Sequence, residues 1–304
     1  MFGKRFARLA VPLLALATSV TALAASVTAG AQETPSASAR AYVETSYVIA
    51  PKAAGDFTLE QSTYDPEQKY AGAGFRYTVP GHQETRIDVY VYPAGKLDRA
   101  TALSSGMEGF RADLQRALDA GIYTDLQLDD DQAFMLAEAD DAPPPAKRRT
   151  RRRDDDIAGV LAAVLQANLP VGRELPMRMN LQPQDWPMHS VGYLFYKNLY
   201  YIKVRASAAQ SRISAESFDT LTDRAARTLV PAIDVANIGD CANSVIHVAQ
   251  DASANEIAKA LVTQSAEHQL DNCHLDADDA GIAGKSADAE VVVIGFDPGE
   301  WTSK

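Results

Sequence analysis

The stretch GYLFYKNLYYIKVR, residues 192–205, predicts two antiparallel strands joined by a tight turn. Aromatic and β-branched residues fill both halves, as is typical of strands, and Lys197-Asn198 between them is a turn signal. A further turn is predicted at 182–185, where the sequence is Gln-Pro-Gln-Asp. Together these signals predict three consecutive strands, at 173–181, 188–196 and 199–206.

Earlier segments of the chain show the same period of two. In residues 86–92, Ile87, Val89 and Val91 fall on one side of the strand, and charged or aromatic residues fall on the other. A strand with one apolar face is typical of an antiparallel sheet. We expect further strands at 57–59, 75–79, 123–128 and 133–136.

Two amphipathic helices are predicted, at 98–120 and 215–230. Each places apolar residues three or four positions apart, so that they form one stripe along the helix. Such a stripe is buried when the helix lies on a sheet. The fold class predicted is therefore α+β, an antiparallel sheet covered by amphipathic helices.

The N-terminus predicts export. Three basic residues precede an apolar run over 9–17, and small residues follow up to Ala31. That order is typical of a cleavable secretory signal peptide, here 1–31. The alternative, an uncleaved anchor helix, needs about 20 apolar residues in a row. We expect a periplasmic protein of a bacterium with no transmembrane segment in the mature chain.

The charge balance excludes one class of partner. The formal net charge of the chain is −11, and residues 1–31 contain three basic and no acidic residues, so the mature chain is more acidic by three. Lys and Arg supply most of the affinity for phosphate backbones, so no nucleic-acid partner is expected. With 46% apolar residues, the chain can form a real hydrophobic core.

Cys241 and Cys273 are the only cysteines. In an oxidising compartment such a pair usually forms a disulfide. Two free buried thiols are the alternative. Zinc binding is disfavoured, because zinc sites normally contain close-spaced pairs such as CxxC.

A charged segment at 139–156 interrupts the strand and helix pattern. It combines acidic runs, three consecutive prolines and a basic cluster, and a segment of that composition is expected to be a disordered, exposed loop. Guanidinium groups in the cluster could capture an anionic envelope component; alternatively, the neighbouring acidic runs neutralise them. The basic residues are Lys147, Arg148, Arg149, Arg151, Arg152 and Arg153.

The remaining sequence suggests three parts for the mature chain: a linker at 32–41, a main domain at 42–235 and a small β-α-β unit at 236–304. The small unit is expected to contain a strand at 244–248, a capped helix from Ser253 and a strand at 291–296. A unit of this size is only marginally stable by itself, so we expect the disulfide or docking on the main domain to stabilise it.

Residues 192–205, with a strand, a tight turn and a strand ending in Lys-x-Arg, resemble a segment of uncharacterised exported bacterial proteins. The strand at 88–92 is similar to one in their first half. With the order of strands and helices, residues 42–235 resemble the PsbP/MOG1-like fold. Members of that family are mostly accessory or binding proteins, so the resemblance implies binding and not catalysis. The charged loop, the apolar segment 157–169 and everything after 236 depart from the family pattern.

One candidate binding surface follows from the strand pattern. Tyr201, Lys203 and Arg205 lie on the same side of one predicted strand, and exposure there would make them a recognition surface. Core packing is the alternative for the aromatic residues, because large aromatic side chains dominate cores.

We predict no catalytic residue, metal ligand or cofactor. Nucleophile motifs such as Gly-x-Ser-x-Gly are incomplete. The group Glu267, His268, Asp271 and His274 is better explained as an acidic helix end than as a zinc site, because four ligands from one continuous stretch rarely reach tetrahedral geometry. The predicted function is a non-catalytic periplasmic accessory protein that binds an envelope protein or an anionic envelope component. The alternative is a secreted hydrolase whose site combines residues distant in sequence.

Overall fold

The structure, a computed structural model, describes residues 40–136, 171–243 and 248–301. The predicted signal peptide, most of the linker, the charged loop with its basic cluster and the apolar segment 157–169 lie outside these residues. So does nearly all of the predicted strand at 244–248.

The described elements follow one another in a mixed α+β order. In chain order they are β1 (Thr45–Pro51), β2 (Ala53–Ala54), β3 (Phe57–Tyr64), β4 (Ala73–Thr78), β5 (Arg86–Pro93), α1 (Arg99–Asp119), β6 (Tyr123–Leu128), β7 (Gln132–Met135), β8 (Val171–Leu181), β9 (Trp186–Lys197), β10 (Tyr200–Ala209), α2 (Ala215–Ala232), β11 (Asp234–Ile238), α3 (Ala254–Asp271), β12 (Cys273–His274), α4 (Ile282–Lys285) and β13 (Ala289–Gly295).

The larger of the two sheets is antiparallel and has the strand order β2-β3-β4-β5-β10-β9-β8-β6, with β7 pairing beside another part of β8. The predicted α+β class with a large antiparallel sheet is therefore confirmed. The turn between β9 and β10 consists of Asn198 and Leu199, one residue later than predicted, because Lys197 already pairs with Tyr200. Asn198 and Leu199 have φ angles of 54° and 68°, the left-handed region that two-residue hairpin turns require.

Helices α1 and α2 lie on opposite faces of this sheet. Ile202 and Val204 of β10 are fully buried in the cluster that contains the apolar stripe of α2. Tyr201, one residue along the same strand, belongs to the cluster that contains α1. Because alternate side chains of a strand point to opposite faces, β10 is covered from both sides.

Two glycines let α1 approach the sheet closely. A Cβ atom on Gly106 of α1 would lie 2.6 Å from Tyr201 Cε1 and 2.7 Å from Leu194 Cδ2. A Cβ atom on Gly192 of β9 would collide with the Phe110 ring of α1. The N-terminus of α1 is capped by Asp98, whose carboxylate accepts a hydrogen bond from the Thr101 amide at 3.1 Å.

A matched pair of substitutions on α1 tests this close packing. We expect Gly106→Ala to lower the free energy of unfolding by about 1 to 2 kcal/mol, because the added methyl group overpacks a filled site. Gly109→Ala should raise it by about 0.5 to 1 kcal/mol, because no atom beyond the neighbouring helix backbone lies within 4 Å of its Cβ position and alanine is the better helix former. Urea denaturation measures both, and stabilisation by Gly106→Ala would contradict the packing.

The smaller sheet has the order β12-β11-β1-β13. Strand β1 is antiparallel to both of its neighbours, pairing Thr45 with Ile238 on one side and with Gly295 on the other. The predicted domain boundary at 235/236 falls inside β11, and residues on both sides of that boundary share this sheet. The described residues therefore form one compact unit, and the C-terminal segment is completed by a strand from near the N-terminal end of the described residues.

Two of the local elements predicted for the C-terminal segment, the capped helix and the last strand, are present. Helix α3 begins with the predicted capping box of Ser253 and Glu256, and β13 covers 289–295. The sulfur atoms of Cys241 and Cys273 lie 2.11 Å apart, at disulfide distance. This pair connects the short 3-10 helix after β11 to β12, which follows α3.

We expect loss of the Cys241–Cys273 bond to destabilise the protein by about 3 to 4 kcal/mol, from the loop-closure entropy of a crosslink across 32 residues. The double variant Cys241→Ala/Cys273→Ala, compared with the oxidised protein in urea, measures this effect. Mass spectrometry under non-reducing conditions should find no free thiol in the native protein, and two alkylated cysteines would contradict the pairing.

Candidate ligand-binding cleft

Helix α1 leaves part of its face of the larger sheet uncovered, and a cleft of about 280 Å³ lies there. Its walls come from strands β5, β6, β8, β9 and β10 and from the turn before β5. The lining residues are Glu84, Arg86, Asp88, Tyr90, Tyr123, Met179, Leu181, Met188, Arg205 and Ser207.

The strand register brings these side chains together. Arg205 of β10 pairs directly with Asp88 of β5, and Ser207 pairs with Arg86. On the other side of β10, Met179 of β8 pairs with Met188 of β9. Paired residues of neighbouring strands project from the same face, so charged residues line one side of the cleft and thioethers line the other.

Asp88 is held by two arginines. The Arg76 Nε–H group donates to Asp88 Oδ1 at 2.9 Å, and the Arg86 Nε–H group donates to Asp88 Oδ2. Asp88 is only 7% exposed, so both pairs are partly shielded from water. Burial lowers the pKa of Arg86, but the hydrogen bond and charge of Asp88 outweigh this and raise that pKa above its ordinary value.

Arg205, the cross-strand neighbour of Asp88, has no carboxylate partner among the residues that the structure describes. Its Nη2 group donates to Tyr123 Oη at 2.8 Å and contacts Met179 Sδ at 3.8 Å. Its guanidinium carbon lies 5.2 Å from the centroid of the Tyr123 ring. Both polar contacts come from Nη2, so the Nε–H and Nη1–H groups have no acceptor in the described part of the chain.

Tyr90 contributes a neutral aromatic wall. Burial, and then the nearby charge of Asp88, raise the pKa of its hydroxyl group. The hydroxyl therefore stays protonated throughout the physiological range. A protonated phenol beside an arginine gives the cleft both a flat apolar surface and a hydrogen-bond donor.

Of the predicted surface residues on β10, the structure places only Arg205 in the cleft. Tyr201 is buried beneath α1, and its hydroxyl donates to the Ala102 carbonyl oxygen at 2.8 Å. The core-packing alternative therefore applies to Tyr201, because the turn of α1 at Gly106 packs directly on its ring. The basic residues from Lys147 to Arg153 lie outside the described residues.

Lys203 is also enclosed instead of exposed. Its Nζ atom lies 4.9 Å from the Phe110 ring centroid, 5.2 Å from that of Tyr90 and 5.4 Å from that of Tyr92. Asp113 Oδ2 is 3.4 Å away. Burial lowers the pKa of the ammonium group, and the charge of Asp113 opposes this. Lys203 therefore packs α1 against the sheet and does not line the cleft.

Sequence reasoning missed the role of three cleft residues, Asp88, Arg86 and Tyr123. The alternation in residues 86–92 does place Arg86 and Asp88 on the face opposite the apolar core. What it does not reveal is that Arg76 reaches Asp88 from the next strand. Tyr123 contacts Arg205 because β6 pairs with β8 on the side away from β9, and the Arg205 side chain reaches Tyr123 across that part of the sheet.

The acidic group near the end of α3 is engaged in structural contacts. Asp271 Oδ2 accepts hydrogen bonds from Tyr42 Oη at 2.9 Å and from Lys96 Nζ at 3.0 Å. His274 Nε2 is 3.1 Å from Asn272 Oδ1. Within the described residues, no group of three or more His, Cys, Asp or Glu side chains is arranged to hold a metal ion.

None of the helices in the described residues is long and apolar enough to span a membrane.

Comparisons of the chain with protein-family models, with curated proteins and with solved structures found no match. The function proposed below therefore rests on the geometry of the cleft and on the features of the sequence.

We expect Asp88→Asn to lower the free energy of unfolding by about 2 kcal/mol, because two guanidinium groups lose the carboxylate that accepts their hydrogen bonds. Asp56→Asn is the matched control. Asp56 pairs with Arg224 at 2.8 Å, but both side chains are nearly half exposed, so its loss should cost less than about 1 kcal/mol. Urea denaturation of both variants checks the difference, and equal effects would show that Asp88 has no special structural role.

Proposed function

We propose that the protein is a non-catalytic accessory protein of a bacterial cell envelope that binds a ligand in the cleft between β5, β10 and β8. The observation that carries this proposal is the position of the Arg205 side chain. Its guanidinium group lies in an open cleft, with unused N–H groups and no carboxylate partner among the described residues. A cavity with a few convergent polar groups is the usual form of a ligand site.

Binding is favoured over hydrolysis by the chemistry of the lining. Nucleophilic catalysis needs a hydroxyl or thiol beside a general base. The described lining contains neither histidine nor cysteine, and its one aliphatic hydroxyl group, Ser207, pairs across the strands with Ser190 and Arg86. Both carboxylate oxygens of Asp88 accept hydrogen bonds from arginines, so this group is a poor general base.

The proposed location in the envelope is supported by three features. The sequence of residues 1–31 has the order of a signal peptide. The two cysteines lie at disulfide distance, which suits an oxidising compartment. The resemblance of residues 42–235 to the PsbP/MOG1-like fold adds support, since members of that family are mostly accessory or binding proteins.

Native mass spectrometry of the mature protein with a small-molecule extract of the source cell's envelope tests the proposal. The chain offers a matched pair of substitutions. Ser207→Tyr fills the cleft, whereas Ser211→Tyr places the same side chain in the exposed turn after β10. We expect the wild type and Ser211→Tyr to retain a bound mass, and Ser207→Tyr to lose it.

Three results would contradict the proposal. The first would be that the wild type retains no small molecule. The second would be that Ser207→Tyr and Ser211→Tyr retain the same amount of it. The third would be release of a hydrolysed product during incubation, which would favour the hydrolase instead. Thermal unfolding of both variants confirms that each is folded in the assay.

A further inference from the structure

We propose that the ligand of this cleft carries one oxyanion, a carboxylate or a phosphate or sulfate ester, on a small flat apolar body. The inference rests on the proposed function and names the class of ligand. The oxyanion would pair with Arg205, and the body would lie between the aromatic and thioether walls.

The charge distribution selects an anion. The guanidinium groups of Arg76 and Arg86 hold the carboxylate of Asp88. Arg205 lies opposite Asp88 on the adjacent strand, but its guanidinium group contacts Tyr123 and Met179 instead. Glu84 also lines the cleft, at the turn before β5, and its carboxylate lies 3.5 Å from His82 Nδ1. Of these three arginines, Arg205 is therefore the one without a carboxylate partner among the described residues.

The open donors have the geometry that an oxyanion needs. Arginine presents its N–H groups as a planar fork that matches carboxylate and phosphate oxygens. The Tyr123 hydroxyl accepts from Arg205 Nη2, and its own proton has no acceptor in the described ranges. The phenol can therefore donate to the same oxyanion that pairs with the arginine. Both donors belong to residues that line the cleft.

The remaining walls select the body of the ligand. Met179, Met188 and Leu181 line the side opposite the charged strand, and the Tyr90 ring lines another. Thioethers and aromatic rings contact flat aromatic groups favourably. The volume of about 280 Å³ lies near the lower end of small-molecule sites, which fits one or two fused rings and not a diacyl lipid.

The acidity of the whole molecule argues for a small anion over a polyanion. The chain has a net charge of −11, which repels an extended polyanion along most of its surface. A single charge inside the cleft is shielded from distant carboxylates, because charges more than about 8 Å away are largely screened at physiological salt. The half-buried Arg205 can then pair with the single charge of the ligand.

Three probes of the same shape test the inference: naphthoate, naphthyl phosphate and the neutral naphthamide. Isothermal titration calorimetry should show tighter binding of at least one anion than of naphthamide. Arg205→Met should weaken binding of that anion by about tenfold or more, as expected for loss of a charged hydrogen bond, and should leave naphthamide unchanged. The preferred anion distinguishes a carboxylate source from a phosphate ester source.

Arg178→Met is the matched control. Arg178 lies between Met177 and Met179 of β8, so it projects from the opposite face of the sheet, and it is 62% exposed beside Asp129. Its substitution should leave all three affinities unchanged. Arg205→Lys keeps the charge but loses the planar fork of N–H groups. This variant should bind the anion more weakly than the wild type. It provides a second test if the methionine variant does not fold.

The inference is overturned if naphthamide binds as tightly as both anions, or if the Arg205 variants bind the anions with wild-type affinity. The cleft-filling Ser207→Tyr variant separates this failure from that of the proposed function. If Ser207→Tyr abolishes binding of every probe while Arg205→Met has no effect, the cleft is a binding site for a neutral ligand. If Ser207→Tyr changes none of the affinities, the cleft is not the site, and both proposals fail.

Discussion

The carboxylate of Asp88 lies between the guanidinium groups of Arg76 and Arg86, on the face of the sheet that α1 leaves open. The register places Arg205 of the adjacent strand directly opposite Asp88. Its guanidinium group contacts Tyr123 and Met179 instead and has no counter-charge in the described part of the chain. The cleft therefore contains one arginine that no carboxylate of the described residues pairs with.

The position of α1 decides where the open face begins. Strand β10 alternates between residues beneath α2 and residues that face α1, and the close approach at Gly106 and Gly192 brings α1 down on Tyr201 and Leu194. Further along the strand, Arg205 and Ser207 lie beyond the cover of the helix and line the cleft. The same packing that buries Tyr201 and Lys203 therefore leaves Arg205 accessible.

Local sequence patterns predict much of this fold, but they do not predict the contacts between segments that are distant in sequence. Strands β8 to β10 and helices α1 and α2 are predicted by alternation and by three-to-four spacing, which neighbouring residues carry. Strand β1 pairs with residues such as Ile238 that lie far along the chain, so no local signal places it. The same is true of the site. Alternation puts Arg205 on the correct face, but the burial of Tyr201 depends on Gly106, which carries no hydrophobic signal.

In the proposed site, the Arg205 guanidinium group pairs with an anion, whereas those of Arg76 and Arg86 are already engaged by Asp88. Nitrogen-15 NMR of the arginine Nε–H groups, titrated with naphthoate, tests it most directly, with the Arg205 signal assigned by its absence in Arg205→Met. We expect the Arg205 Nε–H resonance to move and saturate, and the resonances of Arg76 and Arg86 to move little. An unmoved Arg205 resonance, or larger movement at Arg76 and Arg86, would contradict it.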